Sequence, residues 1–351
     1  RARRRGKSAD VIVPLYTTLD ALNALEYFGR TARYNEELQL APGIRATFFN
    51  AGHILGSACL DLQLTEGSEQ RRIVFSGDLG LSDRPILRDP EVPPPADIVV
   101  METTYGDRQH KQLEPSVEEL YVAINETVER GGNVIIPTFA LERAQELLYY
   151  LHAGKTQGLL PGFLQVFLDS PMAISATEIF RRHRECYDEQ TAELFASGHD
   201  PFKFPGLHFT RETAESMAIN QVSSGAVIMA GSGMCTGGRV RHHLKQHLGR
   251  EHSSVVFVGY AARGTLARRI VDGASTVSIF GDEYRVRAQI HTIGGFSAHA
   301  GQTELLAWHR HTGKPATTFL VHGEKDSMVA FSRLLKHTRV EMPELHQEFE
   351  L

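Results

Sequence analysis

The pattern of apolar and polar residues changes near residue 100, and this change constrains the fold of the chain more than any other feature of its sequence. Before it, residues 60–64 alternate leucine with polar residues, and a Glu-Gly-Ser-Glu turn leads to another such segment, which predicts a hairpin of half-buried strands. After it, helices expected from Pro115 and over 141–151, and further helical stretches, alternate with short apolar runs at 133–137, 166–168, 226–229 and 255–258. A βαβα order of this kind predicts a mostly parallel sheet with helices on both faces. The chain is therefore expected to be an α/β protein with a β-rich beginning.

Length and composition are those of a globular protein with room for two domains. The chain has 351 residues, of which 42% are hydrophobic and 23% charged, and no apolar run approaches the about 18 residues of a membrane span. The net charge of −5 does not by itself favour nucleic acid, so such a ligand would need a locally basic groove. We therefore expect a soluble protein that does not bind membranes.

The cysteines indicate a reducing compartment. Cys59, Cys186 and Cys235 are odd in number and far apart, which argues against a disulfide framework. Three small buried side chains are the simplest interpretation of them. A cytoplasmic location is the expectation that follows.

Five residues able to bind a metal or transfer a proton each follow an apolar run: His53, Asp78, Glu102, His299 and His322. Each is weak alone, because a histidine in a turn is usually structural and an aspartate often caps a helix. Together they suggest one site at one rim of a folded sheet, since ligands and metals collect at the ends of strands in sheet enzymes. Neutral imidazoles and carboxylates are good zinc ligands, and a carboxylate has two oxygens with which to bridge two cations.

These five segments, in this order, resemble the successive motifs of the β-CASP branch of the metallo-β-lactamase superfamily. The resemblance extends over nearly the whole chain, through residues 137–148, 168–173, 232–239, 259–260 and 264–266. The family includes ribonuclease J and the endonuclease subunit of the cleavage and polyadenylation machinery. Phe296-Ser297-Ala298-His299 is more similar to that subunit and its bacterial and archaeal relatives than to ribonuclease J.

The resemblance implies a fold and a division into domains. An αββα metallo-β-lactamase sandwich, incomplete at its N-terminus, would carry an inserted α/β β-CASP domain. The first part of the sandwich would span 1–106, the β-CASP domain 107–296, and the second part of the sandwich 297–351. RNA would lie in the cleft between the two domains.

The resemblance also implies roles for the five residues. His53 would bind one zinc ion, Asp78 would bridge two, and His322 would bind the second. Glu102 would orient His299, which would protonate the leaving oxygen. The catalytic residues would thus be Asp78, Glu102 and His299, and the cofactor would be two zinc ions.

The implied activity is that of a zinc-dependent ribonuclease that hydrolyses the phosphodiester bonds of single-stranded RNA. Endonuclease action is expected, with 5′-to-3′ exonuclease action and a homodimer left open. Exposed amides ahead of a helix and nearby cations suit phosphates. The RNA-binding residues proposed on this basis are Ser232, Gly233, Gly238, Arg239, Arg263 and Thr265. The plainer interpretation is a chain reversal at the glycines and a solvated charged face. On the following helix His243 and His247 have metal-ligand spacing, but no third ligand is evident.

One departure from the family matters. The family's His-x-His-x-Asp-His motif normally precedes the segment of His53, yet the first fifty residues contain no histidine, and the chain does not begin with Met. We therefore expect an N-terminally truncated sequence with only three zinc ligands, inactive as this fragment. One alternative is a non-catalytic β-CASP paralogue that binds RNA or a partner protein. Another is a metallo-β-lactamase hydrolase of a small ester or thioester, against which the large inserted segment argues.

Overall fold

The computed structural model describes residues 16–109 and 111–350. Within them, the strands are β1 Glu37–Ala41, β2 Ile44–Asn50, β3 Ala58–Glu66, β4 Glu69–Phe75, β5 Ile98–Glu102, β6 Val134–Pro137, β7 Gln165–Leu168, β8 Leu207–Phe209, β9 Ala226–Ala230, β10 Ser254–Val258, β11 Thr276–Ile279, β12 Asp282–Arg285, β13 Gln289–Ile293, β14 Thr317–Val321 and β15 Arg339–Glu341. The α-helices are α1 Thr18–Asn23, α2 Leu113–Glu129, α3 Arg143–Thr156, α4 Pro171–Arg182, α5 Glu189–Ala196, α6 Thr213–Ala218, α7 Val240–His247, α8 Leu266–Val271, α9 Gln302–His311 and α10 Lys325–Ser332.

The first sheet is mixed and has seven strands, in the order β1-β2-β3-β4-β5-β14-β15. Strands β1 to β4 pair antiparallel, and the predicted hairpin is confirmed because Glu66 on β3 pairs with Glu69 on β4. Strands β4, β5, β14 and β15 then pair in parallel. This sheet therefore combines the β-rich beginning of the chain with two strands from its end.

The second sheet has six strands in the order β13-β10-β6-β9-β7-β8, and every pairing in it is parallel. Alternate residues of its central strands enter different cores. Val134 and Ile136 pack with residues of α2 and α3, whereas Ile135 packs with residues of α7 and α8. The predicted parallel sheet with helices on both faces is thus confirmed. A separate hairpin of β11 and β12 lies beside the second core.

The first sheet has its main core on one face. Val74, Val99 and Leu320 pack there with Trp308 of α9 and Phe331 of α10. The other face carries a smaller cluster around Ile73, Ile98 and Phe319. The described residues therefore form one β-layer of the expected sandwich together with the helices that cover it.

The two sheets use separate parts of the sequence. The first sheet uses residues 37–102 and 317–341, and the second sheet uses 134–293. Domain boundaries at 106/107 and 296/297 stay a prediction. In the part of the chain that the structure describes, no helix is both long and apolar enough to cross a bilayer.

Candidate metal centre

Strand direction brings four of the five predicted site residues to one edge of the first sheet. Strands β2, β4, β5 and β14 run the same way, because β2 and β4 are both antiparallel to β3, while β4, β5 and β14 pair in parallel. Their carboxyl ends therefore lie together. His53 and Asp78 follow β2 and β4, Glu102 ends β5, and His322 directly follows β14.

His299 reaches the same place from the other sheet. It follows β13 of the second sheet through the single 3-10 turn Gly294–Phe296. The expectation that all five residues lie at the rim of a single sheet is therefore wrong for His299. Its ring nevertheless lies 4.2 Å from that of His53 and 5.7 Å from that of His322, centroid to centroid. The two sheets thus contribute jointly to one cluster.

Asp78 stands between two histidines. Its Oδ2 lies 4.0 Å from Nε2 of His53, and its Oδ1 lies 3.1 Å from Nδ1 of His322. Each carboxylate oxygen thus faces a different imidazole. The Asp78 side chain is 39% exposed, so its remaining lone pairs are open to a ligand. Burial, and then the neighbouring His299, lower the pKa of His53, which favours the neutral imidazole that a metal requires.

Glu102 and His299 form a hydrogen-bonded pair beside this carboxylate. Nδ1 of His299 lies 3.1 Å from Oε1 of Glu102, which also accepts from the Leu79 amide at 2.6 Å. Burial opposes ionisation of Glu102, but the hydrogen bonds with His299, Thr104 and Leu79 lower its pKa. Burial likewise opposes protonation of His299, yet Glu102 raises the pKa of this imidazole. An ionised Glu102 therefore fixes the His299 ring with Nδ1 as the donor.

Close backbone packing holds two of the ligand-bearing loops. A Cβ on Gly80 would lie 1.8 Å from the Gly52 carbonyl oxygen, so only glycine lets the loop of Asp78 pack against the loop of His53. His322 has φ +49°, in the left-handed region that few non-glycine residues adopt. The Thr104 hydroxyl donates to its carbonyl at 3.0 Å and lies 3.3 Å from its Nδ1. Strain of this kind is typical of functional sites.

The donor set fits a metal ion. Two groups have ligand atoms that all lie within 4.8 Å of one another: His53 with Asp78 and His299, and Glu102 with His299 and His322. Imidazole nitrogens and carboxylate oxygens at this spacing suit zinc. His53 and His322 both face Asp78, and the roles of these three residues as zinc ligands stay a prediction. His299 belongs to both groups, so its assignment as proton donor needs a test of zinc content.

The predicted RNA-binding residues lie on two loops of the inserted segment that touch each other. Ser232, Gly233 and Gly238 belong to the loop between β9 and α7, and Arg263 and Thr265 to the loop between β10 and α8. The Ala262 amide donates to the sulfur of Met234, which joins the loops. The second loop also contacts the segment of His322, because the Tyr260 hydroxyl donates at 2.9 Å to Glu324, two residues after His322.

Three of these six residues have side chains with hydrogen-bond partners inside the protein. The Ser232 hydroxyl accepts from the Gly237 amide at 3.3 Å. Nη1 of Arg239 lies 2.8 Å from both a carboxylate oxygen of Asp169 and the Thr210 carbonyl oxygen, and Nη2 donates to the Arg211 carbonyl. The Thr265 hydroxyl caps α8 by accepting from the Arg268 amide. Arg263, in contrast, is exposed. Of these two arginines, Arg263 is therefore the one whose charge is open to solvent.

The two histidines of α7 whose spacing suggested a second metal site have hydrogen-bond partners within the protein. Nε2 of His243 lies 2.6 Å from Asp169, and Nδ1 of His247 lies 3.2 Å from the Ser253 hydroxyl. Neither histidine belongs to a metal-type group among the described residues. The hypothesis of a metal on this helix is therefore not supported. Tyr260, Glu324 and Thr104 were not predicted as neighbours of the cluster, although Tyr260 lies in a segment that carries the resemblance and Thr104 lies in the same segment as Glu102.

Comparisons with known proteins agree with the geometry. A family model for the Beta-Casp domain matches residues 144–270, and one for the Zn-dependent metallo-hydrolase RNA specificity domain matches 283–343. The chain is 41% identical over 322 residues to ribonuclease TTHA0252 of Thermus thermophilus, an alignment that covers 92% of this chain and 72% of that protein. The chain belongs to the β-CASP family of metallo-β-lactamase RNA hydrolases.

Other relatives of this β-CASP protein are named as transcription termination factors. It is 33% identical over 321 residues to FttA of Pyrococcus abyssi and 32% identical over 310 residues to FttA of Methanocaldococcus jannaschii. These alignments cover 89% and 85% of this chain but only 49% and 48% of the two factors. The chain thus spans about half the length of the FttA proteins. The α/β fold and the family inferred from the motifs are confirmed, and the family is one of metal-dependent hydrolases that act on RNA.

Proposed function

We propose that this β-CASP protein uses two zinc ions to hydrolyse phosphodiester bonds in single-stranded RNA. The observation that carries the proposal is the position of Asp78, whose two oxygens face different imidazoles, those of His53 and His322. A carboxylate so placed is suited to bridge two cations. We propose His53 and His322 as ligands of one zinc each. Bound zinc would supply an activated water and offset charge on the phosphate.

The chain's own residues account for the other half of the reaction. When water adds to phosphorus, the bond from phosphorus to the leaving oxygen breaks, and that oxygen needs a proton. In this proposal Nε2 of His299 donates it, while ionised Glu102 accepts from Nδ1 and stabilises the imidazolium before the transfer. The same contact orients the ring toward the cluster. Glu102 thus acts through His299, and Asp78 through the metals.

The RNA would run past the two joined loops of the inserted segment. Arg263 would contact a phosphate, and Ser232, Gly233, Gly238 and Thr265 would line the path with polar groups and close backbone. Arg239 would support the path indirectly by holding this loop to Asp169. With a net charge of −5, the protein must concentrate its cations locally to bind RNA. A cytoplasmic location and a homodimer stay predictions.

RNA labelled at either end tests the activity and its mode together. The complete protein, loaded with zinc, is incubated with single-stranded RNAs labelled at the 5′ or the 3′ end. Internal cleavage is expected, with labelled fragments of intermediate length from both substrates. Release of mononucleotides from the 5′ label alone would show the exonuclease mode instead. Intact RNA at full zinc occupancy would reject the proposal in favour of the non-catalytic alternative.

An assay of zinc content distinguishes the proposed role of His322, which faces Asp78, from that of His299, which faces Glu102. His322→Ala should reduce the zinc content, because it removes a proposed ligand. His299→Ala should retain zinc and lose turnover. Loss of zinc from the second variant would make His299 a ligand.

A further inference from the structure

Arg84 connects three parts of the chain beneath the cluster. It lies in the loop between β4 and β5, six residues after Asp78. Its Nη2 donates at 2.7 Å to each of the carbonyl oxygens of Gly295 and Ser297, and its Nη1 lies 3.3 Å from Oε1 of Glu146 on α3. One guanidinium thus contacts the segment that leads to His299 and the helix that begins the family-matched β-CASP region.

This connection is buried and charged. The side chains of Arg84 and Glu146 are 13% and 6% exposed. The second oxygen of Glu146 lies 3.6 Å from Nε of Arg143, whose Nη1 donates to the Val258 carbonyl at the end of β10. Charges out of water keep a well-defined geometry only when each has its partner, and removal of one partner leaves the other uncompensated. Arg84, Glu146 and Arg143 therefore form a salt-bridge network, called the joint below. It connects the loop after β4 of the first sheet with α3 and the end of β10 in the second sheet.

The joint acts on the segment that carries His299. Gly295 and Ser297 are both buried, and buried carbonyl groups need donors. Phe296 between them is fully buried, and His299 follows Ser297 by two residues. A planar guanidinium holds Nη1 and Nη2 in a rigid fork, so it fixes the two carbonyl groups bound by Nη2 relative to Glu146 at Nη1, which the rotatable ammonium of a lysine does not. The position of His299 relative to Asp78 thus depends on Arg84.

We propose that Arg84 and Glu146 are positioning residues that set His299 for proton donation. The inference rests on the proposed function, because it assumes that His299 protonates the leaving oxygen. A displacement of about 1 Å in a catalytic group costs on the order of 100-fold in rate. Loss of the joint should therefore lower turnover without removing any group that touches RNA or metal.

Two substrates and two variants test this in the complete, zinc-loaded protein. Arg84→Lys and Glu146→Gln are assayed on RNA and on bis(p-nitrophenyl) phosphate, whose leaving phenolate needs no proton. On RNA, kcat should fall about 10- to 100-fold, with KM changed less than about 3-fold. On the activated diester, kcat should fall less than about 3-fold, as it should for His299→Ala. A structural defect alone would lower both rates equally.

A double-mutant cycle makes the same test without the activated substrate. Once His299 is alanine, its position no longer matters, so adding Arg84→Lys should lower kcat on RNA no further. A multiplicative loss in the double variant would overturn the proposal.

A crystal structure of Arg84→Lys gives a readout beyond activity. The distance from Nδ1 of His299 to Oε1 of Glu102 is 3.1 Å in the parent, and in the variant this distance should lengthen or the His299 ring should shift.

Arg72 provides a matched control. It binds buried Asp61 through Nε and Nη2 at 2.8 and 2.7 Å, across β3 and β4 of the first sheet. Arg72→Lys should lower the melting temperature and leave kcat on RNA unchanged. The same RNA-selective loss in this control would overturn a specific role for Arg84. If instead the parent and His299→Ala cleave RNA equally fast, the proposed function fails at its proton-donor step, before the joint is at issue.

Discussion

Two aspartates of this protein each follow a strand and each face a histidine, but their surroundings differ. Asp169, after β7, is 0% exposed, and both its oxygens are fully engaged. Its partners are Thr210 at 2.7 Å, Arg239 at 2.8 Å, Ser216 at 2.6 Å and His243 at 2.6 Å. Asp78, after β4, is 39% exposed, and its oxygens face His322 at 3.1 Å and His53 at 4.0 Å.

The difference separates a structural carboxylate from a candidate ligand. Every strong acceptor position of Asp169 is used by the protein itself, so this residue has no capacity left for a metal. Asp78 keeps lone pairs open, and imidazole nitrogens of His322 and His53 lie 3.1 and 4.0 Å from its oxygens. Sequence spacing alone does not distinguish the two, because both aspartates follow apolar strands. Unused acceptor capacity, rather than residue type, marks the site.

The largest expected effect comes from Asp78→Asn. The amide keeps the shape but loses the charge and one acceptor oxygen, so it should not bridge two zinc ions. We expect zinc content to fall and turnover of RNA to drop by about 1000-fold or more. Zinc analysis and single-turnover cleavage check this, with Asp169→Asn as the control that retains its zinc. Equal zinc loss in both variants would erase the contrast between the aspartates.

His299→Ala should have the next largest effect. Removal of a general acid typically costs about 100- to 10,000-fold in rate, and we expect kcat on RNA to fall in this range with zinc retained. Metal analysis and kinetics on the same preparation are the measurement. Wild-type turnover in this variant would show that the leaving oxygen takes its proton elsewhere.

Asp169 should make stability depend on acid pH. Burial opposes ionisation, but the hydrogen bonds from His243, Ser216 and Thr210 lower the pKa of Asp169 from 3.8 to about 2. Because the folded pKa lies below the unfolded one, the contribution is full above about pH 4 and is lost as the pH falls through about 2. A shift of this size corresponds to roughly 2 to 3 kcal/mol.

Urea unfolding across this pH range measures the effect. The difference in free energy of unfolding between the parent and Asp169→Asn should shrink as the pH falls from 5 towards 2. A difference that stays constant over that range would show that the carboxylate charge is not what stabilises this region.

The smallest effect is expected at Arg263. Arg263→Ala should raise the Kd for single-stranded RNA about 3- to 10-fold and reduce the salt dependence of binding, since one phosphate contact is lost. Arg71→Ala is the control, because Arg71 is also exposed but lies on β4 toward the opposite edge of the sheet. Arg239→Ala should mainly lower stability. Equal weakening by Arg71→Ala would mean that Arg263 has no specific role.

Local patterns predicted the elements well. The hairpin of β3 and β4 and the parallel second sheet follow from alternation and from short apolar runs. Helix boundaries were less exact: α2 begins at Leu113, before the predicted start at Pro115. Helix α3 begins at Arg143, after the predicted start at Leu141, because Glu142 has φ +62° and the Arg143 amide bonds the Leu141 carbonyl in a γ-turn. No sequence pattern predicts such a turn.

The candidate site was predictable only through its motifs. The resemblance identified His53, Asp78 and His322, but no periodicity shows that His299 arrives from the second sheet. Contacts over long sequence separations were also missed, such as Arg84 with Gly295, 211 residues away, and His243 with Asp169, 74 residues away. The first pair depends on how the two sheets pack and the second on how α7 lies beside the second sheet, and local spacing encodes neither.

Zinc positions in a crystal of the complete protein test the central claim most directly. Anomalous difference density at the zinc edge should show one peak about 2.0–2.2 Å from an Asp78 oxygen and His53, and a second at the same range from the other oxygen and His322. Zinc bound by Glu102 and His299 without Asp78, or no peak at this edge of the first sheet, would contradict the account.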